Sequence, residues 1–241
     1  MVEKNLPAMI KFFFLLWGIT FQSFCIGQKK QLSIPVIFEV VATNEKDILN
    51  KELLNDFDEK YTITKLKYYV SNLHFVTGET KNIKKSVHLI DASKKNIFSV
   101  VLPSKKITGI SFLLGVDSLL NCSGAQSGAL DPLNDMFWTW NNGYIFFKID
   151  GNAETSTADL NRIEHHIGGF KGSNKTMREI YLPIEDMAFL KKSKLIIQLN
   201  IDKYWNGKNK LRFSESPIIA SPGLLAKNAS DNFMEMFLIK K

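Results

Sequence analysis

The sequence predicts an all-β fold, mainly an antiparallel β-sandwich with long loops and little helix. Several stretches alternate apolar and polar residues, which is the period of a half-buried strand. Polar loops rich in Ser, Gly, Asn and Asp separate these stretches. Hydrophobic residues make up 45% of the chain, enough for one sizeable core without disulfides. We therefore predict a single β-sandwich domain over residues 28–241.

The predicted strands follow from this alternation in chain order. The first contains Pro35, which cannot donate to a ladder and so predicts a free edge near the strand's start. The second is long and rich in aromatic residues, with a bend predicted around Ser71 and Asn72. A stretch that is apolar on both faces apart from Lys148, residues 144–149, predicts a central strand covered on both sides. The predicted strands are residues 32–41, 61–76, 107–117, 144–149 and 194–202.

Helix is predicted only in short pieces. Residues 45–57 carry a weak helical pattern, and residues 230–232 are suited to cap a turn that leads into Met234 and Phe237. Residues 119–135 and 151–161 are predicted as long loops, and loops on a rigid β-scaffold are common places for function.

The N-terminus resembles a secretory signal. Lys4 and Lys11 precede a short apolar run, and a small-residue cleavage site follows at residues 25–27. We predict cleavage after residue 27, a periplasmic or secreted location, and no membrane span in the mature chain. Cys25 keeps open the alternative of a lipoprotein, although residues 22–24 form a poor lipobox.

Charge and cysteine content exclude several classes of function. The formal net charge is +7 for the whole chain and +6 once the two Lys and one Glu of residues 1–27 are removed. The lysines are scattered in pairs rather than gathered among aromatics, so nucleic-acid binding is not predicted. Cys122 is the one cysteine of the mature chain, which excludes an internal disulfide and a cysteine-cluster metal site. We expect its thiol to be buried.

Two segments about twenty residues apart are the most distinctive part of the chain. The first, residues 130–144, reads LDPLNDMFWTWNNGY, and the second, residues 163–169, reads IEHHIGG. Together they contain two of the four tryptophans and half of the histidines. A functional site is therefore predicted here.

These segments resemble the central signature of the MbnP-like copper-binding proteins of the bacterial envelope. That signature is roughly D-P-x-N-x-M-x-W-x-W-x-x-G-Y followed by F-x-x-H-x-G-G, and here Ile163 replaces the usual aromatic. Further similarity covers residues 68–73, 89–91 and 110–117, so the resemblance spans most of the mature chain. The residues that match the signature are Asp131, Pro132, Asn134, Met136, Trp138, Trp140, Gly143, Tyr144, His166, Gly168 and Gly169.

The resemblance implies a copper-binding function and a set of ligands. Family members bind copper through two histidines and a tryptophan oxidised to kynurenine by a separate di-haem peroxidase-like enzyme. In this chain Trp138 or Trp140 would be the modified residue, and His166 is the candidate imidazole. No second ligand histidine can be matched by position.

Residue chemistry adds further candidates for this site. Imidazole and thioether groups suit copper, which makes Met136 a candidate ligand. His165 is another, although on a strand its ring points to the face opposite His166. Asp131, Tyr144, Gly168 and Gly169 are candidates for supporting the site, Asp131 through turn chemistry and the glycines by allowing close backbone approach.

Without the resemblance, other interpretations stay open. Trp138 and Trp140 would serve equally well as packing aromatics, and His166 as a hydrogen-bonded structural histidine. A second hypothesis is a metal-free β-sandwich module in which Trp138, Trp140 and Tyr144 form a platform for a glycan or a protein partner. No nucleophile elbow, zinc-protease motif or phosphate loop is present, so an enzyme is not predicted.

Overall fold

A computed structural model describes residues 32–43, 45–78, 83–139, 141–185 and 194–240. The predicted signal segment 1–27, Cys25 within it, and Trp140 lie outside these residues. The strands in chain order are β1 (Ser33–Ala42), β2 (Glu45–Lys46), β3 (Glu52–Leu54), β4 (Lys60–Thr77), β5 (Val87–Asp91), β6 (Asn96–Val101), β7 (Ile107–Leu114), β8 (Phe137–Thr139), β9 (Gly143–Tyr144), β10 (Phe147–Ala153), β11 (Arg162–Ile167), β12 (Arg178–Pro183), β13 (Leu195–Asn200), β14 (Ile218–Ile219) and β15 (Phe237–Ile239).

The first sheet is built around β1. It has the order β15, β13, β1, β2, and β6 pairs with the first part of β1. At Pro35 the neighbouring strand is β6, because the pairing with β13 begins only at Val36. This arrangement agrees with the free edge predicted from Pro35, whose ring nitrogen has no hydrogen to donate.

The second sheet is built around the long strand β4. Its order is β12, β7, β4, β10, β11, β14, with β3 and β5 also paired to β4. The predicted bend is present: Asn72 has φ of 56°, and the pairing with β7 shifts register between Ser71 and His74. Strands β8 and β9 form a separate hairpin. Because β10 lies between β4 and β11, it is the central strand that was predicted, but Lys148 and Asp150 make one of its two faces charged rather than apolar.

The main core lies between the two large sheets. Phe38 of the first sheet packs edge-on against Phe112 of the second, with ring centroids 5.6 Å apart. Phe237 likewise contacts Tyr68 at 5.9 Å. A second, smaller apolar cluster lies beneath the β8–β9 hairpin; its buried residues are Tyr69, Val116, Leu130, Met136, Tyr144, Ile145, Phe146 and Phe170.

The all-β prediction is confirmed, and the sheets are mixed rather than purely antiparallel. β1 pairs with β13 in parallel, and so does β11 with β14. All five predicted strands are present, with bounds shifted by a few residues.

The helix predicted over residues 45–57 is wrong. That stretch contains β2 and β3 instead, and both Asp47 and Asn50 adopt positive φ, 54° and 60°. Left-handed residues interrupt a right-handed helix, while Ile48 and Leu53 still reach the main core.

The α-helices of the described residues are short: α1 (Ser118–Cys122), α2 (Asp202–Trp205) and α3 (Leu224–Asp231). Residues 230–231 are the last two residues of α3, and the turn predicted beyond them is the 3₁₀ helix Asn232–Glu235. The loop predicted over residues 119–135 contains most of α1 and two 3₁₀ turns, Gly128–Leu130 and Pro132–Asn134. In the part of the chain that the structure describes, no helix is long and apolar enough to cross a membrane.

Candidate functional site

One face of the second sheet carries charged side chains in two cross-strand rows. In the first row Lys67, Lys148 and His166 are register partners across β4, β10 and β11. In the second row the partners are Lys65, Asp150 and Glu164. We call this surface the charged face. Strand alternation directs the intervening residues, among them Ile149, to the main core on the other side.

The first signature segment lies on the charged face and is fixed there by lysines. Asp135, in a left-handed conformation with φ of 61°, accepts hydrogen bonds at Oδ2 from Lys65 Nζ at 2.7 Å and Lys148 Nζ at 2.8 Å. Lys67 Nζ donates to the backbone oxygen of Asn134 at 3.0 Å. Asp131 accepts from the backbone N–H of Leu133 at 2.9 Å, which is the turn chemistry predicted for it.

Asp135 is the counter-ion that allows Lys148 to be buried. The Lys148 residue is 4% exposed, and a buried ammonium is costly unless it is paired. Burial acts to raise the pKa of Asp135, but the hydrogen bonds from Lys148 and Lys65 prevail and lower the pKa to about 2. Asp135 is therefore charged at neutral pH, and it draws both ammonium groups toward the loop.

His166 lies between two carboxylates. Its Nε2 is 2.6 Å from Asp150 Oδ1, and its Nδ1 is 3.4 Å from Glu164 Oε1. Because an ionised carboxylate only accepts, Nε2 carries the hydrogen of the shorter contact. Burial acts to raise the pKa of Asp150, whereas the hydrogen bond to His166 and the nearby Lys148 and Lys65 lower it; the net change is downward. Asp150 is thus an ionised group that orients the imidazole.

Trp138 packs against Gly168, the first of the two glycines that follow His166. A Cβ placed on Gly168 would lie 2.7 Å from Cζ3 of the Trp138 ring and 2.6 Å from the backbone oxygen of Tyr144. Gly169 has φ of +134°, which L side chains rarely adopt. The glycines therefore allow the close approach expected of them, and the two signature segments meet at this point.

Tyr144 supports the loop from inside. It is fully buried, its hydroxyl donates to the Leu130 backbone oxygen at 2.9 Å, and its backbone N–H donates to Asn121 Oδ1 at 3.0 Å. A buried ring cannot form part of an exposed platform, so Tyr144 is removed from the glycan- or protein-binding surface of the second hypothesis. Its role in supporting the site stays a prediction.

His165 is not placed to share a metal with His166. Its ring is fully buried on the core side of β11, with Nε2 2.8 Å from the backbone oxygen of Ser216 and Nδ1 2.8 Å from the hydroxyl of Tyr204. A carbonyl only accepts, so Nε2 donates and Nδ1 accepts the Tyr204 proton. Both nitrogens are occupied, which corrects the expectation that His165 is a ligand.

Met136 is also placed as a structural residue rather than a ligand. It is fully buried in the smaller apolar cluster, where a flexible thioether fills space. The remaining histidines lie elsewhere: the His74 ring contacts the Asn72 backbone oxygen at 2.7 Å, and the His88 ring packs on Phe98 with centroids 4.3 Å apart. Cys122 is exposed, which corrects the expectation of a buried thiol.

The described residues do not assemble a complete metal centre. Among them, no group of three or more His, Cys, Asp or Glu is arranged to hold a metal ion. The geometry explains this, because Asp150 and Glu164 lie against opposite nitrogens of the His166 ring and cannot share one ion. Two donors converge, Nδ1 of His166 and Oε1 of Glu164, while Trp140 lies outside the described residues.

Sequence reasoning missed the charged residues around His166. Asp150, Glu164, Lys148 and Asp135 have no motif of their own, and charged residues on strands are usually solvated. Along β10 and β11 the charged and histidine residues on this face recur at every second position, as residues 147–150 (FKID) and 163–166 (IEHH) show. Only the register of the two strands shows that these charges share a face with His166.

Fold and site together define an all-β scaffold in which a tryptophan-bearing segment meets, at Gly168, the segment that carries a carboxylate-held imidazole. The chain belongs to the MbnP family, whose sequence model matches residues 31–221. The solved structure of MbnP from Methylosinus trichosporium has a similar fold, with a TM-score of 0.55 and 16% sequence identity over 76% of this chain and 80% of that chain. Curated protein sequences give no match.

Proposed function

We propose that this chain binds copper in the bacterial envelope for handling, storage or delivery of the metal rather than for catalysis, with His166 as a ligand. Membership of the MbnP family supports a copper-related role. The observation that carries the proposal is the meeting of the two signature segments at Trp138 and Gly168, two residues after His166, whose Nε2 is held by Asp150 at 2.6 Å. Ligand histidines in metal sites typically donate their other N–H to such a carboxylate.

The described donors fit part of the ligand set implied by the family resemblance. His166 supplies one imidazole, and its side chain is 13% exposed, so the ring is not fully enclosed. A second ligand histidine is not found beside it among the described residues. The set is therefore completed by other groups, and the adjacent tryptophans are the candidates that the resemblance supplies. The envelope location rests on the signal segment predicted over residues 1–27.

The finer form of the proposal is that Trp138 or Trp140 is oxidised to kynurenine by a di-haem peroxidase-like partner. Trp138 supports it by its place against Gly168, two residues after His166. We expect peptide mass spectrometry of protein from its native host to show a mass gain on one of these tryptophans. Cytoplasmic recombinant protein should carry unmodified indoles. Native peptides with both indoles intact would contradict the modification and leave copper binding by His166 to be judged separately.

Replacing His166 tests the copper proposal directly. We expect residues 28–241 to retain one copper per chain after dialysis against a weak chelator, and His166→Ala to bind about 100-fold more weakly, since even supporting residues of a metal site cost 10–100-fold. The measurement is elemental analysis together with a chelator competition for Kd, on protein matured in its native host and on recombinant protein.

His74→Ala is the matched control. His74 is also a strand histidine with one ring hydrogen bond, but it lies beyond the bend of β4 and pairs with Ser111 of β7. It should retain copper like the wild type. Equal retention by His166→Ala and the wild type, with both folded by circular dichroism, would refute the proposed site.

A further inference from the structure

We infer that the outer face of the first sheet docks on a membrane surface that contains anionic phospholipids. The outer face is the side of β6, β1, β13 and β15 that points away from the main core. This face lies on a different sheet from His166, so the inference is independent of the proposed copper site. Its residues are Ile97, Ser99, Val101, Ser33, Pro35, Ile37, Glu39, Ile196, Gln198 and Leu238.

Strand alternation places a row of three isoleucines on the outer face. Val36 and Phe38 of β1 are buried in the main core, so the side chain of Ile37 between them leaves the opposite side of the sheet. Ile97 of β6 and Ile196 of β13 are the register partners of Ile37 on its two sides. The row therefore crosses three neighbouring strands.

Further apolar side chains flank this row and are open to solvent. Leu238 of β15 pairs with Gln198 of β13, and Val101 of β6 pairs with Ser33 of β1. The exposed fractions are 52% for Ile97, 46% for Val101 and 44% for Leu238. The solvent side of a sheet is normally polar, and a contiguous exposed apolar patch marks a site of contact with a protein or a membrane.

Lysines lie around the apolar part of the outer face. Three of them are exposed, and each is two residues from an apolar residue of the face, so both side chains leave the same side of the chain. No carboxylate of the described residues lies within ion-pair distance of Lys95 or Lys194. The three pairs are Lys95 with Ile97, Lys194 with Ile196, and Lys240 with Leu238.

The negative charge on the outer face is already neutralised. Glu39 is the one carboxylate that the four strands place there, and Lys46 Nζ lies 2.6 Å from its Oε2. Burial acts to raise the pKa of Glu39, but hydrogen bonds from Lys46 and Gln198 and the nearby charge of Lys240 prevail and lower the pKa. The remaining charge around the apolar row is therefore positive.

An apolar centre with a positive rim is complementary to an anionic lipid surface. Apolar side chains enter the boundary between headgroups and acyl chains, while lysine ammonium groups reach the phosphates. Each lysine near such a surface adds to the binding free energy. Because the rim charges are of one sign on several sides of the face, they match a membrane plane better than the mixed charges of a typical protein partner.

The double variant Ile97→Thr, Leu238→Thr tests the apolar contact, because threonine suits a strand but has less apolar surface. The measurement is cosedimentation of metal-free residues 28–241 with vesicles of phosphatidylglycerol and phosphatidylcholine in equal parts. We expect the wild type to bind and the double variant to bind about tenfold more weakly. Leu54→Thr, Leu224→Thr is the control, because these exposed leucines lie off the outer face; its binding should change by less than about twofold.

The double variant Lys95→Gln, Lys194→Gln tests the positive rim. We expect about fivefold weaker binding to the mixed vesicles for each lysine removed, and a smaller effect of salt on the remaining binding. Lys84→Gln, Lys175→Gln removes the same charge from exposed positions that precede β5 and β12 of the second sheet. This control should bind the mixed vesicles nearly as the wild type does.

Three outcomes would overturn the inference. The first is a wild type that does not bind the mixed vesicles. The second is equal binding by the wild type and the Ile97→Thr, Leu238→Thr variant, with both folded by circular dichroism. The third is self-association of the protein without lipid, detected by analytical ultracentrifugation and abolished by the same variant, which would assign the outer face to a second copy of this chain.

Discussion

The stability of this protein is expected to fall by about 3 kcal/mol between pH 6.5 and pH 4 through His165 alone. Burial lowers the pKa of His165 from 6.5 to about 4. In the unfolded chain the ring takes up a proton near pH 6.5, while the folded protein keeps it neutral until about pH 4. Each pKa unit corresponds to 1.36 kcal/mol, so stability is full above pH 6.5 and is lost as the pH falls through this window.

The structural cause is the pair of hydrogen bonds that fixes the neutral ring. Ser216 provides a carbonyl that only accepts, and Tyr204 provides a hydroxyl that donates to Nδ1. A second ring proton would face the Tyr204 hydroxyl and force it to turn. The charged ring would also be fully enclosed, with Trp205 packed on it at a centroid distance of 5.3 Å.

Urea denaturation of the metal-free protein at several pH values between 7.5 and 4 measures this effect. His165→Gln is the comparison, because its amide can donate to Ser216 and accept from Tyr204 but does not titrate. The difference between wild type and variant should shrink by about 3 kcal/mol as the pH falls across the window. His88, whose pKa is also lowered by burial, is present in both proteins and cancels. Parallel curves would show that His165 is not held neutral.

The fold was predictable to the extent that it depends on local periodicity. Alternation predicted the strands that are β1, β7 and β13, aromatic and β-branched residues predicted β4 with its bend around Ser71 and Asn72, and a mostly apolar stretch predicted β10. Strand partners could not be predicted in this way, because a strand has the same alternation of apolar and polar residues whichever strand it pairs with. In the parallel pairing of β1 with β13, Val36 lies opposite Leu195. The pattern within one strand carries no information about a partner so far away in the sequence.

The error over residues 45–57 has a related cause. A weak helical period arose because Ile48, Leu49 and Leu53 fall near helical spacing. Left-handed Asp47 and Asn50 bend the chain instead, so that Ile48 reaches the core from the segment between β2 and β3, and Leu53 from β3. At the candidate site, His166 and Gly168 were found through the motif. Asp150 and Glu164 were missed because their meaning depends on the register of β10 against β11.

Gly168→Ala is expected to destabilise the protein by about 3 kcal/mol and to displace the Trp138 ring. The added Cβ would lie 2.6 Å from the Tyr144 backbone oxygen and 2.7 Å from Trp138 Cζ3, both closer than real Cβ contacts. Overpacking of this kind costs about 1–3 kcal/mol and occasionally more. The Tyr144 carbonyl belongs to the buried turn between β9 and β10, so it cannot retreat cheaply, and the partly exposed indole is the group that moves.

Two measurements separate the two consequences. Urea denaturation reports the loss of stability, and the indole N–H resonance of Trp138, assigned with Trp138→Phe, reports the displacement of the ring. Gly78→Ala is the control, because a Cβ there has nothing within 4 Å and should change stability by less than about 0.5 kcal/mol. An unchanged Trp138 resonance in Gly168→Ala would show that the ring does not rest against this glycine. If the Trp138 resonance moves and copper binding also weakens, the position of the indole affects the copper site at His166, because the substitution removes none of the candidate ligands.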